Sequence, residues 1–382
     1  MIDEKTNSNE VFNENLDVEI EDLGETEITS PYDPSKIKID FRNENLGSLI
    51  EMLKFDEIDL MPDFQRQMDL WDDTKKSQLI ESILLGLPLP SFYFSEDEKT
   101  KKLLVVDGLQ RLSTFKAFFI DERLSLTGLE FLGPNYTGKK YSDLSRADHR
   151  KISGFKINYH VIENPTPSDV KFLIFKRVNT GGLILTPQEI RHALNQGVPA
   201  QFIERLSKFE SFRQASDYKI PSKRQEDRDF VNRFVAFFLL GYDDHYDGEL
   251  DKFLNEGMAL LNKEKMHDEV RESVAKDFDK AMEISYQIFG NDAFRKRTNE
   301  EDKRKPISKA VFDTISVNIA WLNEEQQQLL LQKKEIFKKQ LMDLFNEKNF
   351  HDAVSTATGQ KYKVKIRFEK VKNLINEIIQ PC

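Results

Sequence analysis

Leu103 to Phe115 reads as a buried strand that passes through Asp107-Gly108 straight into a helix. Leu103, Leu104, Val105 and Val106 are apolar and half of them β-branched, which suits a strand covered on both faces. Gly108 permits the sharp turn. From Leu109 onward the apolar residues Leu109, Leu112, Phe115, Ala117 and Phe119 alternate with Gln110, Arg111, Ser113 and Lys116 at helical spacing. A helix that begins directly after a strand offers free N–H groups and a positive dipole end. Asp107, Gln110 and Arg111 gather there, and two readings stand. A carboxylate, an amide and a guanidinium together can hold a phosphate, a metal or a water. The same residues serve equally if Asp107 caps the helix and pairs with Arg111 one turn on.

The neighbours of this element carry a second message. Upstream lie Met61-Pro-Asp-Phe-Gln-Arg66, Leu70-Trp-Asp72 and Gln78 to Phe92; downstream lie Phe175-Lys-Arg-Val-Asn-Thr-Gly-Gly182 and Leu185-Thr-Pro-Gln-Glu-Ile-Arg191. Over Leu46 to Arg191 these spaced motifs resemble the N-terminal domain of GmrSD-type type IV restriction enzymes. That family is similar to ParB/sulfiredoxin-like nucleotide-binding proteins and carries an Asp-Gly-Gln-Gln-Arg signature. Asp107, Gly108, Gln110 and Arg111 match it, whereas Leu109 stands at the third position in place of Gln.

The resemblance implies a module that binds a nucleoside triphosphate and hydrolyses it with Mg²⁺, in a setting of anti-phage defence or restriction of modified DNA. Carried over residue by residue, it makes Asp107, Gln110 and Arg111 the catalytic group. Asp107 orients water or Mg²⁺, and Arg111 offsets phosphate charge. Gln65, Arg66, Gly108, Asn179, Thr180, Gly181, Gly182, Glu189 and Arg191 become nucleotide-binding residues. Plainer readings exist for several of them. Arg66 can pair with Asp63 or Asp69, the Gly181-Gly182 turn can end a helix, and Glu189 and Arg191 can decorate a helix start. Trp71 reads as a packing anchor rather than a stacking platform.

The expected class is α+β: a ParB/sulfiredoxin-like N-terminal domain followed by an all-α C-terminal domain. Residues 1–35 read as a disordered acidic arm, 36–195 as the nucleotide-binding domain and 196–382 as the helical domain. Helices are expected from Leu46, after a cap at Asp72 or Asp73, from Ser168 and from Thr186-Pro187. Ser91–Phe94 and Lys102–Val106 are expected as two strands joined into a hairpin by the polar turn 95–100, and 154–162 as a further strand. Arg123 to Tyr141 reads as loop with short strands. In the C-terminal half, helices are expected over 228–240, 247–261, 270–289, 308–322 and 324–345. Residues 361–368 alternate like a strand, but a longer four-three rhythm through Ile378 favours helix.

Charge and composition narrow the classes further. Of the net charge of −10, nearly all sits in residues 1–30, which hold ten acids against the single base Lys5. Such an arm can be a solvating tail, or it can cover a basic groove and compete with DNA for it. The near-neutral remainder lacks the basic surplus of a strong duplex binder. Arg295-Lys-Arg297, Lys303-Arg-Lys305 and 361–372 are the local basic patches left for a DNA-binding role. The lone cysteine, Cys382, excludes an internal disulfide. The six histidines show no metal-ligand spacing, and there is neither a Walker-type loop nor a His-containing nuclease motif. Any cutting is therefore expected from a separate nuclease or defence subunit. With no apolar run near ~20 residues and no leader-like start, cytoplasm is the expected location. The alternative in a different class is a non-catalytic DNA-binding partner subunit with a degenerate pocket.

Overall fold

A computed structural model describes residues 17–24, 34–60, 71–97, 100–178, 185–262 and 264–380. The chain divides into two compact units, Ser30–Gln196 and, together, Met1–Thr29 with Gly197–Cys382. The first is mixed α and β, the second helical.

The first unit is built on a five-stranded sheet. Its strands are β1 (Ile39–Asn45), β2 (Ile58–Asp59), β3 (Phe92–Glu96), β4 (Leu103–Asp107) and β5 (Lys156–Ile162), in the order β1-β5-β3-β4-β2. β3 and β4 are antiparallel, β5 runs parallel to β3, and β1 closes one edge antiparallel to β5. Both faces of β4 are covered. Leu103 and Val105 enter a cluster with Leu112 and Phe115, and Leu104 and Val106 enter another with Phe172, Phe175 and Ile190.

The helices follow the sequence signals closely. α1 (Leu46–Lys54) buries Leu46, Leu49 and Leu53. α2 (Asp73–Leu85) is capped by Asp72, whose Oδ1 accepts the Lys75 N–H at 2.8 Å, and it stops at Gly86 with φ 81°. α3 (Leu109–Phe115) runs on into a π-helical turn, Lys116–Ile120. Trp71 packs against the cluster that holds this helix.

Arg123 to Tyr141 forms no strand, contrary to expectation; it carries a four-residue helix, α4 (Gly133–Tyr136), and then the turn Tyr141–Asp143. The reason lies on α2. The carboxylate of buried Glu81 accepts the backbone N–H groups of Glu130 (3.0 Å), Phe131 (2.8 Å) and Leu132 (2.7 Å), and Ser77 Oγ accepts that of Thr127 (3.0 Å). Side chains thus satisfy donors that a strand partner would otherwise take. α5 (Arg146–Ser153), α6 (Ser168–Val178) and α7 (Pro187–Leu194) complete this unit.

In the second unit, α8 (Val198–Ser207) and α9 (Glu210–Ala215) lead to α10 (Glu226–Leu240). α10 buries Phe230, Val231, Phe234, Val235 and Phe237, as its all-round apolar surface requires. α11 (Leu250–Leu260), α12 (Asp268–Phe289) and α13 (Lys309–Ala320) pack around it in one cluster. The stretch expected as one helix over 324–345 is two, α14 (Glu324–Gln332) and α15 (Lys334–Asn346). They break at Lys333, whose Nζ donates to the carbonyl of Ile378 at 2.6 Å. α16 (Lys348–Ser355) and α17 (Lys361–Ile379) follow, so the strand-like alternation at 361–368 is helical. Among the described residues no helix is long and apolar enough to cross a membrane.

The acidic segment requires a correction. Its described residues, 17–24, are not a free arm but lie on the helical unit. Val18 bridges Ile307 and is buried, while Glu21 pairs with Arg233 and Glu19 with Lys296. Buried cations in the helical unit hold these carboxylates, which no local sequence pattern discloses.

Candidate functional site

The junction between β4 and α3 is shaped by a slip in strand register. Phe94 stands opposite Val105, but Tyr93 stands opposite Asp107, so β4 carries one extra residue at its end. Such a bulge re-aims the side chain beside it. Gly108 follows with φ 102°, and a Cβ there would lie 2.4 Å from Phe92 Cδ1. Glycine is therefore required twice, by conformation and by space.

Arg111, one turn into α3, is nearly buried and closes the junction. Its Nη1 donates to the carbonyl of Pro90, and its Nη2 donates to that of Ser91 at 3.2 Å and to Asp107 Oδ2 at 2.9 Å. Its guanidinium carbon lies 4.3 Å from the centre of the Phe92 ring. The pair foreseen between Asp107 and Arg111 is thus formed, while no side-chain cap is made to α3. Burial pushes the Asp107 carboxyl above its usual range, and the Arg111 charge and the Gly108 N–H only partly oppose it. Burial likewise lowers Arg111, with Asp107 opposing. The result is a part-exposed carboxylate, costly to ionise, held from behind by a guanidinium already committed to two carbonyls.

Gln110 is half-buried in the first turn, and its carbonyl accepts the Thr114 hydroxyl at 2.8 Å. Leu109, at the departing signature position, packs against both clusters that cover the sheet. An apolar side chain suits that seam better than an amide.

Glu189 and Arg191 belong to the helical layer on the other face. Glu189 accepts the Thr186 N–H at 2.7 Å and returns its own N–H to Thr186 Oγ1 at 3.2 Å, a capping box with Pro187 in the first turn. Arg191 is buried, donates from Nε to Gln188 Oε1 at 2.8 Å and lies over the Phe172 ring. Gln65, Arg66, Asn179, Thr180, Gly181 and Gly182 lie outside the described residues.

Sequence reasoning missed three neighbours. Phe92 is the plate beneath Arg111, and Tyr93 is the cross-strand partner of Asp107. His160, opposite Tyr93 on β5, stacks on its ring at 4.7 Å and 15°. The alternation of Phe92-Tyr-Phe94 is the only signal that separates these faces.

Among the described residues no three His, Cys, Asp or Glu side chains gather as a metal cage.

Several cations of the basic patches have partners within the chain. Arg295 donates to the carbonyls of Asn291 and Lys305, Lys296 pairs with Glu19, and Arg297 and Arg304 pair with Asp292. In α17, Lys363 pairs with Asp352, Lys370 with Glu347 and Lys365 with Glu369.

Residues 47–195 match the family model described as the GmrSD restriction endonuclease, N-terminal domain. No curated protein and no solved structure matches.

Proposed function

Residues 47–195 form a GmrSD N-terminal domain, and on that premise we propose that the chain is a nucleotide-binding, nucleotide-hydrolysing module of a restriction system, with nuclease activity supplied by a separate subunit. The observation that carries this reading is the Asp107 carboxylate. It is part-exposed at the end of a central strand, re-aimed by a bulge, and raised by burial although a guanidinium holds it. A carboxyl with a perturbed pKa and a fixed partner marks a functional-site candidate.

In this reading Asp107 orients the attacking water and accepts its proton. Arg111 is a positioning residue: it ties Asp107 to the start of β3 and keeps the carboxylate from turning inward. Gln110 lies on the same turn, within the reach of a ligand seated over Asp107. A magnesium ion carried by the nucleotide supplies charge neutralisation at the phosphates when bound. Phosphoryl transfer asks mainly for such positioning and electrostatics. Glu189 and Arg191 support the layer behind the site.

The DNA-binding alternative lacks a basic surplus, and several cations of the local patches are paired with acids of the chain. Equilibrium binding of each of the four nucleoside triphosphates with Mg²⁺, followed by calorimetry, tests the reading. Binding of a nucleoside triphosphate by the wild type, retained in Asp107→Asn with the fold unchanged while turnover falls, supports it. No binding in either protein contradicts it.

A further inference from the structure

Residues 17–24 sit on the helical unit in an unusual way: Glu19 and Glu21 turn toward the unit, while Ile20 between them faces water. Ile20 is 81% exposed, whereas the Glu21 side chain is 12% exposed. Glu21 lies bidentate on Arg233, with Oε2 accepting from Nη1 at 2.9 Å and Oε1 from Nη2 at 3.0 Å, and Oε1 also accepts the Thr358 hydroxyl at 2.7 Å. Glu19 accepts from Lys296 Nζ at 2.6 Å, and that ammonium also reaches Ser355 Oγ at 3.0 Å. Asp22 Oδ2 accepts the Ala357 N–H at 3.0 Å, where φ is 45°. Glu21 and Glu19 are thus each held by a cation, and Asp22 by a backbone N–H of the helical unit.

The backbone is read as well. The Glu19 N–H donates to the Ile307 carbonyl at 2.8 Å, the Ile307 N–H donates to that of Asp17 at 3.0 Å, and the Thr358 N–H donates to that of Asp22 at 2.8 Å. Gly24 has φ 74°, and a Cβ there would stand 2.6 Å from Ala357 Cβ. Val18 is the one apolar anchor in the segment that is buried.

Asp313 already holds the inner edge of Arg233, accepting from Nε at 2.9 Å and Nη2 at 2.6 Å, so the outer edge is preset for a carboxylate. Main-chain pairing, one apolar anchor, spaced charges and a glycine-only end describe peptide recognition by an edge, not a phosphodiester track. Because little apolar area is buried, charge supplies most of the hold, and salt weakens it.

We propose that the helical unit carries a docking groove for an extended acidic peptide of the pattern apolar-Glu-x-Glu-Asp-x-Gly, filled here by the chain's own residues 17–24 and open to the same segment of a second copy. The tethered segment competes at an effective concentration of order mM, so exchange requires that its own hold be weakened.

The test uses the full chain carrying Glu19→Gln, Glu21→Gln and Asp22→Asn together, and the full chain carrying Glu21→Gln alone. The probe is a fluorescein-labelled synthetic peptide of residues 15–26, read by anisotropy. The expected result is binding to the triple variant at least about tenfold tighter than to wild type, a difference of about 1.4 kcal/mol. This binding weakens as salt rises and is lost when the peptide carries Gly24→Leu. If the triple variant does not fold, Glu21→Gln carries the test, since Arg233 keeps Asp313. A folded variant that ignores the peptide overturns the proposal, as does loss of folding in both variants. Displacement of the bound peptide by a single-stranded oligonucleotide at a lower concentration than unlabelled peptide requires also overturns it, and makes the groove a phosphodiester site.

Discussion

Gly108 lies so close to Phe92 that a Cβ on it would stand 2.4 Å from the ring, and the same ring supports the Arg111 guanidinium at 4.3 Å. The ring therefore couples the turn to the ion pair. Gly108→Ala forces a left-handed alanine and a clash together, and is expected to cost about 2 kcal/mol or more. Thermal melting of the variant measures it, and a cost below about 0.5 kcal/mol contradicts the packing described.

Asp107 and Arg111 should separate by phenotype. Arg111→Met leaves two backbone carbonyls and a part-buried carboxylate without their donor, and is expected to lose about 3 kcal/mol. Asp107→Asn keeps an acceptor for Arg111 and loses far less stability. Urea unfolding of the two variants compares them, with Arg111→Met the weaker fold.

Leu109 is a packing residue at the seam of two clusters. Restoring the signature with Leu109→Gln should destabilise by about 1–2 kcal/mol without raising nucleotide turnover. A more active variant of equal stability would show that the position faces the ligand.

Glu81 gives a pH signature. Burial pushes its carboxyl up, but the N–H groups of Leu132, Glu130 and Phe131 outweigh that and hold it below the ordinary value of 4.5. Its contribution is therefore complete above about pH 4.5 and fades as pH falls through the lowered folded value. Wild type should exceed Glu81→Gln in urea midpoint at neutral pH, and the gap should narrow on acidification below about pH 4.5. A constant gap contradicts this role.

Local signals were legible and distant ones were not. The strand-Gly-helix junction, the stop at Gly86 and the Thr186–Glu189 capping box rest on residues a few positions apart, where backbone chemistry is written directly. The edge strand β1, Ile39-Asp-Phe-Arg-Asn-Glu-Asn45, has neither face fully buried and so shows no strand pattern strong enough to read. The pairing of Glu21 with Arg233 spans 212 positions, and the anchoring of 130–132 by Glu81 depends on a helix 50 residues away. Within the site, sequence placed Asp107 beside Arg111, but the commitment of Arg111 to Pro90 and Ser91 needs the fold.

The most direct test of the account is phosphate release from each nucleoside triphosphate with Mg²⁺, by wild type and by Asp107→Asn, with and without DNA. The account predicts turnover by wild type that falls at least about a hundredfold in Asp107→Asn while the melting temperature stays close. Turnover unchanged in Asp107→Asn, or none by wild type under any of these conditions, contradicts it.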